Sequence, residues 1–238
     1  WRPGPNGGRW ESLPPMPTAV SGAGVCAVTM PEGDEALVVI GGTVAQLPGT
    51  AAHDYVFTVH VLRRGSWSAL SPLPTARRNF SLYALSGGRL VAVGGEMRED
   101  YSWTHCQVVE ILDISQDSWE TLPEMREGRI QPRLVEHDGT LTVIGGSFKI
   151  DLFTHEMRSS CEQLQIGADE WVEMAPLPMA AHRGGFQLAD LARGCICVLQ
   201  EQPATEAAQA AAAGVLDPKI RGRRELVCHC CDLDEAAG

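Results

Sequence analysis

The sequence predicts an all-β repeat fold, and three observations predict it. Residues 37–42 (LVVIGG), 90–95 (LVAVGG) and 141–146 (LTVIGG) are short aliphatic, β-branched runs that each end in two glycines. Such a run reads as a buried strand, and the glycine pair marks backbone that a side chain cannot follow. The first glycines of the pairs, Gly41, Gly94 and Gly145, stand 53 and 51 residues apart. Trp10, Trp67, Trp119 and Trp171 follow at intervals of 57, 52 and 52 and open the similar phrases WESLPPMP, WSALSPLP, WETLPEMR and WVEMAPLP. A fixed motif that returns at a period of roughly fifty means a repeat architecture, one supersecondary unit stacked on the next.

The copies match in detail. An apolar residue lies three places after each Trp (Leu13, Leu70, Leu122, Met174) and another six places after (Met16, Leu73, Met125, Leu177). The second glycine of a pair precedes the next Trp by 25, 24 and 25 residues. A double glycine after an apolar strand, a Trp about 25 residues on and a Met/Leu-Pro turn resemble the kelch repeat. That resemblance covers nearly all of residues 1–238 and implies a β-propeller of about four four-stranded blades, as a closed ring or as part of a larger propeller.

Taken in order, residues 1–9 are rich in Pro and Gly and read as irregular. Repeat one has an inner strand near Ala23–Thr29, a turn at Pro31–Asp34, the second strand ending at Gly42, a long loop over Thr43–His53, a third strand near Tyr55–Leu62 and an outer strand from Trp67. Repeat two runs Phe80–Leu85, a Ser86-Gly87-Gly88 turn, Leu90–Gly95, a loop over Glu96–His105, Gln107–Ile114 and the strand at Trp119. Repeat three runs Leu134–His137, a turn at Asp138-Gly139, Leu141–Gly146, a loop over Ser147–Met157 and a strand near Glu162–Ile166. Repeat four decays. Its inner strand is expected at Gly185–Leu188, CICVLQ at 195–200 lacks the glycine pair, and an Ala-rich insertion fills 201–214 before a third strand at Glu225–Leu233. Trp10–Leu13 is then the candidate fourth strand beside Glu225–Leu233, which would close the ring without an open edge.

Composition narrows the function classes. Hydrophobic residues make up 44% and charged residues 21%, which is globular rather than disordered. A net charge of −11 disfavours nucleic acid and anionic membrane. No apolar run of membrane-spanning length and no signal-peptide pattern appears, and a start at Trp1 rather than Met leaves room for preceding sequence. Eight cysteines without regular spacing suggest a reducing compartment, the cytoplasm or nucleus.

Candidate binding residues fall on connections, where rigid scaffolds usually carry recognition. The crossings from one outer strand to the next inner strand hold Arg77, Arg78 and Asn79, then Arg129 and Gln131, then His182 and Arg183. Arg77 and Arg129 each lie ten residues after their Trp, where Val20 and Ala181 stand in the other repeats. In kelch proteins an Arg here commonly supports the loop; the competing reading is a basic ring that receives an acidic segment of a protein partner, because a guanidinium offers carboxylates a planar fork. The loop after the second glycine pair adds Arg98, Tyr101 and Trp103, residue types favoured at interface hot spots.

Cys195 and Cys197 share one strand face, as do Cys228 and Cys230 on the neighbouring strand. Four thiols on one face are a donor set for zinc, but C-x-C is not the usual C-x-x-C knuckle, and buried cysteine serves as small apolar filler, so no metal or cofactor is expected. No phosphate loop, zinc-protease or calcium-loop motif is present. The resemblance implies a non-catalytic protein-interaction module, an adaptor or substrate-recognition domain. The alternative is a kelch-type propeller enzyme acting on a carbohydrate, an oxidase or epimerase, for which Tyr55, Tyr83 and Tyr101 form no convincing set with histidine.

Overall fold

The computed structural model describes residues 12–45, 53–99, 102–150 and 154–177 and the strands at 186–191, 195–203 and 224–232. The chain divides into two compact units, Trp1–Gln131 and Pro132–Gly238.

In the first unit, β1 (Gly24–Thr29), β2 (Glu35–Ile40), β5 (Val59–Arg63) and β6 (Ser66–Leu70) form an antiparallel four-stranded sheet in that order. A second sheet orders β7 (Ser81–Leu85), β8 (Arg89–Val93), β11 (Val109–Asp113) and β12 (Ser118–Leu122) in the same way. The middle strands are apolar because both faces are covered. Leu90, Val91, Ala92 and Val93 are all buried, as are Val59, His60, Val61 and Leu62. One core joins the facing sheets through Val28, Val38, Ile40, Val59, Val61, Leu73, Phe80, Leu90, Ala92 and Leu112, with Trp119 packed against it. The outer strands β6 and β12 turn most of their residues to solvent, so only their apolar positions belong to the core.

In the second unit, β13 (Arg133–His137), β14 (Thr140–Ile144), β17 (Cys161–Gln165) and β18 (Val172–Met174) form the third four-stranded sheet. Val135, Ile144, Cys161 and Met174 make its core. A further sheet orders β19 (Phe186–Leu191), β20 (Cys195–Pro203) and β21 (Arg224–Asp232). Most of the Trp10–Leu13 strand expected beside β21, and most of the Ala-rich insertion, lie outside the described residues; Ser12 and Leu13 carry no strand.

The regions read as long loops are β-hairpins at their bases. β3 (Thr43–Ala45) pairs with β4 (His53–Tyr55), β9 (Glu96–Glu99) with β10 (Ser102–His105), and β15 (Ser147–Lys149) with β16 (His155–Met157). The glycine pairs lie outside the strands they follow. Gly41, Gly42, Gly94 and Gly95 have φ of 62°, 94°, 66° and 106°, which breaks the ladder and turns the chain into the hairpin. A Cβ on Gly95 would lie 2.7 Å from the Arg78 carbonyl oxygen and 2.9 Å from Phe80 Cβ, so the next crossing packs directly on bare backbone.

Candidate protein-binding site

Within the first unit, each Trp phrase fixes the crossing that follows it through a small set of repeated bonds. Trp67 Nε1 donates to the Pro14 carbonyl at 2.9 Å, and Trp119 Nε1 donates to the Ser71 carbonyl at 3.1 Å. Both acceptors lie four residues after the preceding Trp. Gly42 N donates to the Arg77 carbonyl at 3.1 Å and Gly95 N to the Arg129 carbonyl at 2.7 Å, so the second glycine of each pair holds the tenth residue after the next Trp.

The twelfth residue after each Trp makes a third linkage. Asn79 N donates to the Gly22 carbonyl at 2.9 Å, and Gln131 N donates to the Asn79 carbonyl at 2.8 Å. Gly22, Asn79 and Gln131 all adopt positive φ, at 67°, 55° and 47°. The left-handed turn sets both the N–H and the C=O of this residue toward its counterparts, so successive crossings bond head to tail.

Of the two readings of the crossing arginines, loop support or a basic ring, burial at Arg77 and Arg129 favours the first. Arg77 is 0% exposed and Arg129 1%. The Arg77 guanidinium pairs with the Glu110 carboxylate and donates to the carbonyls of Thr75 at 3.0 Å and Ala92 at 3.1 Å, while Thr75 Oγ1 donates to Glu110 at 2.9 Å. A charge buried this deeply needs such a partner, and the burial removes it from any partner protein. Arg129 Nη2 lies 3.5 Å from Glu127. The basis for recognition of an acidic segment is therefore reduced at both positions.

Arg78 and Asn79 sit where the crossing meets the hairpin. Arg78 and Glu96 exchange backbone bonds of 3.1 and 2.9 Å, and Arg78 Nε and Asn79 Nδ2 both donate to Glu96 Oε1, at 2.9 and 2.7 Å. Glu96 is buried, with its second carboxylate oxygen unpartnered, while Arg78 stays partly open. Arg98 and Trp103 are register partners on β9 and β10, which places them on one rung of that hairpin. Tyr101, His182 and Arg183 lie outside the described residues. The structure thus brings together Arg78, Asn79, Gln131 and the β9–β10 hairpin.

Sequence reading missed the buried polar residues of the third strands. The second residue of each third strand is His60, Glu110 or Glu162, all buried, each opposite the residue two before the glycine pair: Val39, Ala92 and Val143. Where the tenth residue after the Trp is Arg (Arg77, Arg129), the following third strand carries Glu; where it is Val20, the strand carries His60. Neither ring nitrogen of His60 has a hydrogen-bond partner, and its ring meets Trp67 edge-on with centroids 6.4 Å apart. The glutamate at the second position of VEILD or CEQLQ was the available signal. Among residues with described side chains, no group of three His, Cys, Asp or Glu is arranged to hold a metal ion, and no helix is long and apolar enough to cross a membrane.

Comparison with known proteins agrees with this geometry. The Kelch motif family matches residues 77–126, from the buried Arg77 through the second sheet to the next Trp phrase. An F-box/kelch-repeat protein of Arabidopsis thaliana is 35% identical over 141 residues, covering 58% of this chain and 38% of that protein. A putative F-box/kelch-repeat protein and a further F-box/kelch-repeat protein of the same plant are 28% and 30% identical, each over 48% of this chain and 27% and 26% of their own lengths. The chain therefore spans well under half the length of these curated relatives. The solved structure of YjhT superposes with a TM-score of 0.57 at 12% identity, covering 79% of this chain and 58% of that one, a likeness of fold alone. With the glycine pairs, the Trp phrases and the four-stranded sheets all in place, the chain carries the Kelch motif on an all-β, propeller-blade architecture.

Proposed function

We propose that this chain is a non-catalytic protein-interaction module, an adaptor or substrate-recognition domain of the cytoplasm or nucleus. It would receive its partner where the crossings meet the hairpins. The observation that carries the reading is the division of labour at that edge. The crossings hold their course through backbone bonds from Asn79 and Gln131, and through arginines buried beneath them. Side-chain bonds from Arg78 and Asn79 end on Glu96 at the base of the β9–β10 hairpin, which leaves the positions nearer its tip, Arg98 and Trp103, for a partner to select. Similarity to proteins named F-box/kelch-repeat supports an adaptor role.

The test is cross-linked capture of partners by the tagged chain, comparing wild type with Trp103→Ala, Arg98→Glu and the outer-strand control Glu120→Ala. Loss of the same partners in the two hairpin variants, with melting temperatures within about 1 °C of wild type, supports the assignment. Equal capture by all four proteins places binding elsewhere.

A further inference from the structure

Three repeats share one short linkage, and the first leaves it half made. Phe57, Gln107 and Ser159 stand two residues ahead of the third strands that begin at Val59, Val109 and Cys161. Their carbonyls accept from the sixth residue after the next Trp: Leu73 N donates to Phe57 at 2.8 Å, Met125 N to Gln107 at 2.9 Å and Leu177 N to Ser159 at 2.8 Å. The residue before each is also held alike, with Val56 N donating to the Gly42 carbonyl, Cys106 N to Gly95 and Arg158 N to Gly146. Phe57 and Gln107 are therefore the same position of the repeat, on the same backbone.

Their side chains act differently there. Gln107 Nε2 donates to the Met125 carbonyl at 2.7 Å and to the Arg126 carbonyl at 3.1 Å, so one carboxamide closes two acceptors of the crossing. The matching acceptors in the first repeat are the carbonyls of Leu73 and Pro74. A phenyl ring has no N–H to give them, and among the described residues neither carbonyl has a hydrogen-bond partner. Phe57 is instead 48% exposed, and Pro72 and Pro74 are exposed on either side of the buried Leu73. A single exposed aromatic is ordinary on a protein surface. This one stands at a seat for an N–H donor, and the next repeat shows what fills that seat.

We propose that Phe57 and the carbonyls of Leu73 and Pro74 form a contact site for a carboxamide, the side chain of a glutamine or asparagine on a partner protein. The partner's amide would donate to the two carbonyls as Gln107 does in the second repeat, and an apolar neighbour on the partner would cover the Phe57 ring. A carboxamide brings two donors on one nitrogen and no charge that needs neutralising. A carboxylate only accepts, and would face two carbonyl oxygens. The inference rests on the reading of this chain as a protein-interaction module, but it uses no residue of the β9–β10 hairpin.

The experiment is an NMR titration of the isotope-labelled full chain with the blocked dipeptide acetyl-Gln-Phe-amide, following the carbonyl carbons of Leu73 and Pro74. The expected result is saturable shifts at both carbonyls and at Phe57. Acetyl-Leu-Phe-amide and acetyl-Glu-Phe-amide should bind at least about tenfold more weakly, the least that two hydrogen bonds are worth. Phe57→Gln should install the second repeat's own latch and abolish the shifts, with circular dichroism unchanged. Trp103→Ala should bind the dipeptide as wild type does, so failure of this site and failure of the hairpin assignment are told apart. Equal binding of the leucine peptide, tighter binding of acetyl-Arg-Phe-amide than of the glutamine peptide, undiminished binding to Phe57→Gln, or no saturable shift would each overturn the proposal. The peptide comparisons use wild type alone and stand even if Phe57→Gln does not fold.

Discussion

Arg77→Ala is the variant that most directly tests how the crossings are held. Arg77 and Glu110 are both essentially inaccessible, with side-chain exposures of 0% and 1%. Truncating the arginine leaves the Glu110 carboxylate buried with Thr75 Oγ1 still donating to it, and strips a donor from the carbonyls of Thr75 and Ala92. Removing one member of a buried pair costs about 3–5 kcal/mol, two to four decades in the folding equilibrium and a large part of a typical domain's stability. Replacing both members with apolar residues of similar volume is often neutral. Urea unfolding followed by tryptophan fluorescence should therefore show Arg77→Ala strongly destabilised, and Arg77→Met with Glu110→Leu recovering most of the loss. An Arg77→Ala cost below about 1 kcal/mol, the range of an exposed ion pair, would refute the reasoning, as would a double variant no more stable than the single one.

The first repeat offers the converse experiment. His60→Glu alone should be destabilised by about 3–5 kcal/mol, because it buries an unpaired carboxylate, and Val20→Arg should rescue it by supplying the partner found in the next repeat; denaturant titration of the single and double variants checks this. Gly95→Ala should cost at least about 2 kcal/mol, since positive φ and a clash with the Arg78 carbonyl add. Gly65→Ala, with φ of 81° but open space around it, should cost about 1–2 kcal/mol, so paired thermal melts separate crowding from conformation. Trp119→Phe should lose about 1 kcal/mol by leaving the Ser71 carbonyl without its indole donor. The hydrogen bonds from Arg63 hold the Asp34 carboxyl down to about 2, well below the usual carboxylate range. A depressed folded value means the contribution is complete above the unfolded pKa and is lost as pH falls from about 4 toward 2. Carbon-detected NMR titration should show the low midpoint in wild type and its return toward 3.8 in Arg63→Gln with Arg64→Gln.

The strands were legible because each middle strand is buried on both faces and so must be written as a continuous apolar run, LVVI, LVAV or LTVI. Their ends were less so. The glycine pairs read as the last residues of those strands, but their positive φ removes them from the ladder. The hairpins after each pair were read as loops because three- or four-residue strands such as SFK and HEM are too short to show an alternation. At the site, the Arg residues were found by their fixed distance from Trp, but their inward turn was not, because a charged side chain on a connection has the same one-letter signature whether it faces solvent or a buried glutamate. The chain of bonds through Gly22, Asn79 and Gln131 left no mark at all. It is made by backbone atoms, and the three positions share a conformation rather than a residue type.

That last feature has a bearing on how such a chain can lengthen. The bonds at the fourth, tenth and twelfth residues after a Trp are counted along the chain, so one extra residue between Trp67 and Asn79 would slip several of them together. Among the described residues, these bonds leave the spans that join β3 to β4 and β9 to β10 without such a count. An insertion grafted between Glu99 and Ser102 should therefore leave the unfolding midpoint nearly unmoved, whereas the same insertion after Pro74 should abolish the transition. New contact surface can then be added at those tips without renegotiating the fold.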